Sequence, residues 1–301
     1  MTVRFAGIRI FKIEPGQDIK KPKSDAESDK KAEKQAENPF KKLNREKGFR
    51  VALGEITAFM DSCLRVGEFK DYDGAKNGLQ CANSGKVRSI VSAVDAGLGE
   101  MKLAAHMGAD LLIAHHGMFW SPPIPFTGRN YEKIKTLADS DLAVYACHLP
   151  LDAHPRIGNN ALIAKALGLK ALSRCFDFCG EKIGVLAAAP KGGRDELERR
   201  LSALFPETFK AIRFGSKEPE KVAVCSGGSG SCVGELAAVG ADTLVCGELS
   251  QYHFTMAQEL GLNLYPCGHY ATERFGVMAL GELVAKKFGL KCSFIEMRNP
   301  L

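Results

Sequence analysis

Residues 90–116 read IVSAVDAGLGEMKLAAHMGADLLIAHH, and the same pattern returns at 222–248 as VAVCSGGSGSCVGELAAVGADTLVCGE. The displacement is 132 positions, from 90 to 222, and needs no gap. Each copy opens on an apolar run and closes on a second apolar run that follows Gly-Ala-Asp. Short continuous apolar runs that alternate with helical stretches are strands buried on both faces of a parallel or mixed sheet. The fold class is therefore α/β: two intertwined halves related by a pseudo-two-fold internal repeat, with mixed sheets flanked by helices.

The correspondence continues further along the chain. YACHLPLD at 145–152 and YPCGHYATE at 265–273 are related by a shift of 121, which lays His148 on His269 and Asp152 on Glu273. The same shift lays KALGL at 165–169 over KKFGL at 286–290. Each half thus carries a His-x3-acid pair, and the first half adds His115-His116 directly after the apolar strand LLIA.

The remaining elements follow from periodicity. Apolar residues at Ile56, Phe59, Met60 and Leu64 predict an amphipathic helix from about residue 51. The Asp-Gly and Asn-Gly steps of DYDGAKNGLQ mark a loop after it. Strands are predicted at 89–94, 110–114, 142–147, 183–188, 222–225, 243–246 and 263–266. Helices are predicted at 99–107, 159–167, 194–204, 232–239, 250–260 and 273–288. Residues 3–13 have the alternation of a short strand. The halves run over about 51–170 and 181–301, and residues 1–50 form an N-terminal extension.

Function candidates sit just beyond strand ends, where open α/β sheets gather ligands. Adjacent side chains on an extended backbone point to opposite sides, so His115 and His116 suit two neighbouring ions better than one. Neutral imidazole suits zinc, iron, manganese or nickel, and a carboxylate such as Glu273 has two oxygens with which to bridge two cations. A His and an acid four positions apart meet when the backbone is helical. Pro150 and Pro155 around Asp152 argue for a tight loop there, whereas Glu273 is expected to open a helix. His106 and His253 fall within predicted helices and read as core histidines, and His154 as a loop residue. Gly227-Gly228-Ser229-Gly230 resembles a phosphate-cradling loop but lacks the P-loop lysine and serine, and a tight strand-to-helix turn explains it equally well.

Composition removes several function classes. The chain has 301 residues, 45% of them hydrophobic, enough for a large core, yet no apolar run nears the roughly 18–20 residues of a membrane span. The net charge is +6, and residues 20–50 hold 11 Lys/Arg against 6 Asp/Glu, so nearly all the excess lies in that segment. The body is close to neutral, which argues against a nucleic-acid face. The charged segment reads as a solvated, largely disordered arm. There is no secretory leader pattern, and the ten cysteines are scattered with no CxxC pair, which fits reduced thiols in the cytoplasm.

NGLQ at 77–80, AVDAG at 93–97, GADLLIAHHGMFW at 108–120, HLPLDAHPRIGNN at 148–160 and GHYATER at 268–274 form one recognisable set. From about residue 51 to the C-terminus the chain resembles the Nif-three-like family, also called YbgI-like or GTP cyclohydrolase I type 2-like. The resemblance implies two divalent metal ions per chain, one held by His115, His269 and Glu273 and the other by His116, Asp152 and the bridging Glu273. It further implies a toroidal homohexamer with the metal sites facing an internal cavity. His148 lies outside that ligand set and reads as an orienting group or proton shuttle.

Two functions are compatible with this reading. The first is a metal-dependent hydrolase acting on a nucleotide, for which the family label suggests hydrolysis at C8 of GTP with release of formate. The second is a non-catalytic, metal-loaded assembly serving regulation, partner binding or metal delivery.

Overall fold

The computed structural model describes residues 2–5, 8–13, 50–120 and 125–299. The strands of the first half and its N-terminal approach are β1 (Thr2–Phe5), β2 (Ile8–Ile13), β3 (Val51–Ala52), β4 (Gly78–Cys81), β5 (Lys86–Val87), β6 (Ser89–Asp95), β7 (Leu111–His116) and β8 (Ala143–Ala146). Those that follow are β9 (Lys170–Phe178), β10 (Glu181–Ala188), β11 (Ile212–Arg213), β12 (Lys221–Cys225), β13 (Thr243–Cys246), β14 (Asn263–Pro266) and β15 (Lys291–Met297).

They form a seven-stranded sheet in the order β1-β2-β15-β6-β7-β8-β4, a six-stranded sheet in the order β11-β14-β13-β12-β10-β9, and the small pair β3-β5. Each large sheet is mixed and contains a parallel trio: β6-β7-β8 in one and β12-β13-β14 in the other. The segments 90–116 and 222–248, related in sequence, supply the first two strands of these trios. Every residue of β7 from Leu111 to His115, and all of β8 and β13, is buried, as two-sided coverage by helices requires.

The helix His269–Phe288 organises the interior. Tyr270, Val277, Leu280 and Val284 pack with Ile56, Met60, Ile90 and Ile113 of the first sheet's core. Ala271 and Phe275, toward its N-terminus, pack instead with Val185, Val222 and Tyr265 of the second sheet's core. One helix therefore touches both layers, and its first turn lies where the parallel strands of both sheets end.

Several expectations need adjustment. The helix begins at His269, so Glu273 lies a full turn inside it rather than opening it. Residues Leu149–Asp152 form one helical turn, with Pro150 in the first turn where its missing N–H costs no bond, rather than a loop. The helix expected at 232–239 is a short 3-10 segment, Gly230–Glu235, in a stretch whose glycines disfavour the α form. Beyond the predicted elements the structure adds the helix Gly128–Ser140, the strands β9 and β15 and the short strands β3, β5 and β11, and β4 occupies the end of the stretch expected as a loop. The strand expected within 3–13 is β2, preceded by β1, and β2 runs parallel to β15. The expected charged arm lies outside the described residues.

Candidate metal centre

The chain brings His115, His116, His148, Asp152, His269 and Glu273 together at the carboxyl ends of the two parallel trios. His115 and His116 end β7, His148 follows β8, and His269 follows β14. Glu273 is at the middle of the cluster, its side chain 3% exposed. Its Oε1 lies 3.6 Å from His115 Nε2, and its Oε2 lies 3.3 Å from His116 Nε2 and 3.1 Å from His269 Nε2. The last contact is the helical i,i+4 stacking that the His-x3-acid spacing allows. Asp152 Oδ2 lies 3.4 Å from His115 Nε2.

Each of these imidazoles is turned by a partner on its other nitrogen. His115 Nδ1 is 2.9 Å from the Cys147 carbonyl oxygen, an acceptor only, so Nδ1 carries the proton and the neutral ring presents a bare Nε2. His116 Nδ1 is 2.9 Å from Asp95 Oδ1, and His269 Nδ1 is 3.1 Å from Glu248 Oε1. Asp152 is held in turn by Asn159 Nδ2 and Ser226 Oγ, both donating to Oδ1 at 2.8 and 3.1 Å. Oriented imidazoles backed by carboxylates and a carbonyl are the usual support of metal ligands.

The donor set fits shared cations better than it fits hydrogen bonding. His115 Nε2 and Glu273 Oε2 are buried and make no hydrogen bond despite close oppositely charged neighbours. Two ligand atoms each about 2.1 Å from one ion stand roughly 3.0–3.4 Å apart at octahedral to tetrahedral angles. Three of the Nε2–oxygen separations, 3.1, 3.3 and 3.4 Å, fall in that range, and the 3.6 Å between His115 Nε2 and Glu273 Oε1 lies just above it. Space is provided by Gly227, where a Cβ would overlap Glu273 Oε1 and where φ is +65°. The loop resembling a phosphate cradle thus lets backbone approach a carboxylate.

Without a cation the cluster titrates as coupled ion pairs. Burial opposes charge on His115, but Asp152 and Glu273 outweigh it and raise its pKa well above the usual histidine value. Burial works the other way on Glu273, and the facing imidazoles hold its pKa well below the usual carboxylate range. His269, favoured by Glu273 and then Glu248 against its burial, is pushed up to about 9.

Among the described residues, the groups able to hold an ion are His115 with Asp152 and Glu273, His116 with His269 and Glu273, and His115 with His116 and His148. The first two exchange partners relative to the sets carried over from the family resemblance, because Asp152 faces His115 and His269 shares Glu273 Oε2 with His116. His148 stands beside them, its Nδ1 3.0 Å from Asp71 Oδ1. Asp71, a half-buried residue whose side chain is 4% exposed, also accepts from Tyr72 N, Asn77 Nδ2 and Leu149 N. Asp71, Asp95 and Glu248 escaped the sequence reading, although the repeat held one signal: the shift of 132 puts Glu248 under His116. His253 is buried, as expected of a core histidine.

These features define an α/β protein with a His/carboxylate cluster built between two sheets and suited to metal ions. The family model for Duf34/NIF3 (NGG1p interacting factor 3) matches residues 51–300, and the chain belongs to this family. It is 40% identical over 252 residues to a GTP cyclohydrolase 1 type 2 homolog of Deinococcus radiodurans, covering 83% of this chain and 95% of that protein. It is 37% identical over 248 residues to the Pyrococcus horikoshii protein of the same name, covering 82% and 97%. Among solved structures it is similar to protein ybgI, of unknown function, with a TM-score of 0.77 and 33% identity over 83% of this chain and 100% of that one. Reduced HcgD from Methanocaldococcus jannaschii gives a TM-score of 0.72 and 26% identity over 82% and 98%. No helix among the described residues is long and apolar enough to cross a membrane.

Proposed function

We propose that the chain holds two divalent metal ions side by side and uses them to hydrolyse a nucleotide, with GTP the first substrate to test. The observation that carries this reading is Glu273, buried with Oε1 toward His115 and Oε2 toward both His116 and His269. On this geometry His115, Asp152 and Glu273 hold one ion, and His116, His269 and Glu273 the other. Zinc, iron, manganese and nickel all suit such ligands. A bound pair supplies Lewis acidity at an electrophilic carbon or phosphorus and acidifies water, the chemistry that hydrolysis needs. The names of the relatives support GTP.

The chain's own contribution centres on His148. Asp71 holds its Nδ1 proton, which leaves Nε2 to accept or deliver a proton at the leaving atom of the substrate. Asn159 and Ser226 keep Asp152 in place while substrates come and go. The assembly is a toroidal homohexamer in the cytoplasm, which the family resemblance supports. Sedimentation should then give six chain masses.

Elemental analysis after reconstitution under reducing conditions tests the centre. Wild type should carry close to two ions per chain, and His116→Ala close to one. Negligible metal in wild type would defeat the proposal. Two ions without release of formate from GTP, or turnover of any purine nucleotide, would instead favour the metal-loaded scaffold. Asp95→Ala tests the support of His116: one ion should weaken about 10–100-fold in competition with a chromophoric chelator. Equal affinity of both sites in that variant would mean Asp95 does not orient the ligand.

A further inference from the structure

We propose that Tyr72, Trp120 and Phe178 form a seat for the planar fused heteroaromatic ring of the substrate, beside the metal centre. This inference rests on the hydrolase reading and names the part of the substrate that the site recognises.

Three aromatic side chains from separate parts of the chain meet at the lip of the cluster. Tyr72 comes from the loop before β4, Trp120 from the segment after β7, and Phe178 from the end of β9 in the other sheet. Tyr72 lies 4.8 Å from Phe178 and 6.3 Å from Trp120, centroid to centroid. Trp120 is edge-to-face with His148 at 4.7 Å and with His116 at 5.5 Å. The lip is therefore continuous with the candidate ligands.

Yet these rings are not core. Tyr72 is 53% exposed and Trp120 is 38% exposed, although each has aromatic neighbours on which it could close. Contiguous apolar surface held open beside a polar cluster marks a place for a ligand.

The lip is also built, not left over. At Gly74 a Cβ would come within 3.1 Å of both Phe119 O and Trp120 Cα, so glycine lets the Tyr72 loop lie directly on the Trp120 backbone. Tyr72 N donates to Asp71 Oδ1 at 2.7 Å, the same oxygen that lies 3.0 Å from His148 Nδ1. One buried carboxylate thereby fixes both the aromatic loop and the proton-transfer candidate.

The chemistry of the seat selects its occupant. The three side chains carry no positive charge with which to hold a phosphate, only the Tyr72 hydroxyl and the Trp120 indole N–H as single donors. They offer faces and edges to a flat π-system, the interaction by which aromatic side chains hold bases of any sequence. The ring is a fused heterocycle carried by a nucleotide or present as a free base or nucleoside. Stacking defines that class without choosing among its members.

The chain has a single tryptophan, so its fluorescence reports this lip alone. Guanosine, GTP and inorganic tripolyphosphate would be titrated into the metal-loaded, full-length protein with tryptophan excited selectively. Guanosine and GTP should each quench saturably, while tripolyphosphate leaves the emission unchanged. A guanosine affinity near that of GTP assigns recognition to the ring; guanosine failing where GTP quenches overturns the proposal. Tyr72→Ala should weaken guanosine about tenfold, and Phe178→Ala should weaken it in the same sense. Tyr72→Phe should bind as wild type, and metal content should be unchanged in all three.

Quenching by tripolyphosphate equal to that by guanosine would overturn the seat. So would wild-type guanosine affinity in both alanine variants. Binding is read separately from turnover, so the two readings fail separately. A protein that binds guanosine at Trp120 but turns nothing over keeps the seat and loses the hydrolase. One that keeps its metals and turnover with no guanosine quench loses the seat alone.

Discussion

Glu273→Gln is expected to take the chain from close to two metal ions to well under one, the largest loss of any single ligand substitution. Each of the other four candidate ligands serves one ion, and its removal leaves the second position intact. Glu273 alone faces imidazoles of both groups, with its two oxygens 3.1–3.6 Å from three Nε2 atoms. Gln preserves the shape, so the effect reads charge and bridging instead of packing. Removing one partner of a buried ion pair costs about 3–5 kcal/mol, or roughly 10²–10⁴ in affinity at each position. The control is His148→Gln, which should retain both metals and lose turnover. Elemental analysis of the two variants side by side decides the matter, and a Glu273→Gln protein still holding two ions would remove Glu273 from the bridge.

The same substitution has a signature in the metal-free protein. His269 carries a folded-state pKa of about 9 against an ordinary 6.5, with Glu273 the larger favourable influence. A raised histidine pKa contributes stability that is present in full below about 6.5 and is lost as the pH rises through about 9. Chelator-treated wild type should therefore melt lower at pH 10 than at pH 6, and Glu273→Gln should narrow that difference. Protons and metals also compete for the same nitrogens, so metal affinity should fall on acidification.

How much of this was legible in the sequence depends on the reach of each contact. The strands around His115 and His269 were visible because buried runs such as LLIA and NLYP announce themselves locally. The repeat then tied His148 to His269 and Asp152 to Glu273, so that the cluster could be assembled without knowing a distance. The supporting acids could not be read in this way. Asp71 sits in a turn-rich loop, 77 positions from the His148 whose ring it holds. Asp95 lies 21 positions from His116. Nothing in either local stretch separates them from solvated loop acids. The partners exchanged between the two ion groups show the same limit. Which of two adjacent imidazoles faces Asp152 depends on the twist of β7 against the helical turn Leu149–Asp152, and spacing does not encode it. Trp120, adjacent to the His-His-Gly motif, was legible as a residue but not as a lip, because Tyr72 and Phe178 arrive from elsewhere.

Gly247→Ala is expected to damage stability and metal affinity together, although Gly247 touches no ligand. The second sheet delivers its functional residues through three loop starts that lie almost on one another. Glu248 N donates to Gly227 O at 3.0 Å, and Gly268 N donates to Gly247 O at 2.8 Å. A Cβ on Gly247 would stand 2.5–2.8 Å from the Gly227 oxygen, nitrogen and Cα, all of them backbone atoms with no rotamer to yield. Relief must come from separating β12 and β13 at their ends. That motion would carry Gly227 relative to Glu273 and Glu248 relative to His269. Overpacking of this kind costs about 1–3 kcal/mol, which lowers the melting temperature by roughly 2–5 °C in a chain of this size. Misplacing the groups behind the ligands should weaken metal binding a further 10–100-fold or so. Gly54→Ala supplies the contrast, since a Cβ there meets nothing within 4 Å and the residue lies in the helix Leu53–Leu64. Alanine in a helix is favoured over glycine by up to about 1 kcal/mol, so this variant should melt at or above wild type. Thermal melts and metal titrations of both variants would separate a close-packed glycine layer from an incidental one. If Gly247→Ala melted with wild type and kept both ions, the loop starts would have slack that their hydrogen bonds do not suggest, and the placement of Glu248 would have to come from its own contacts.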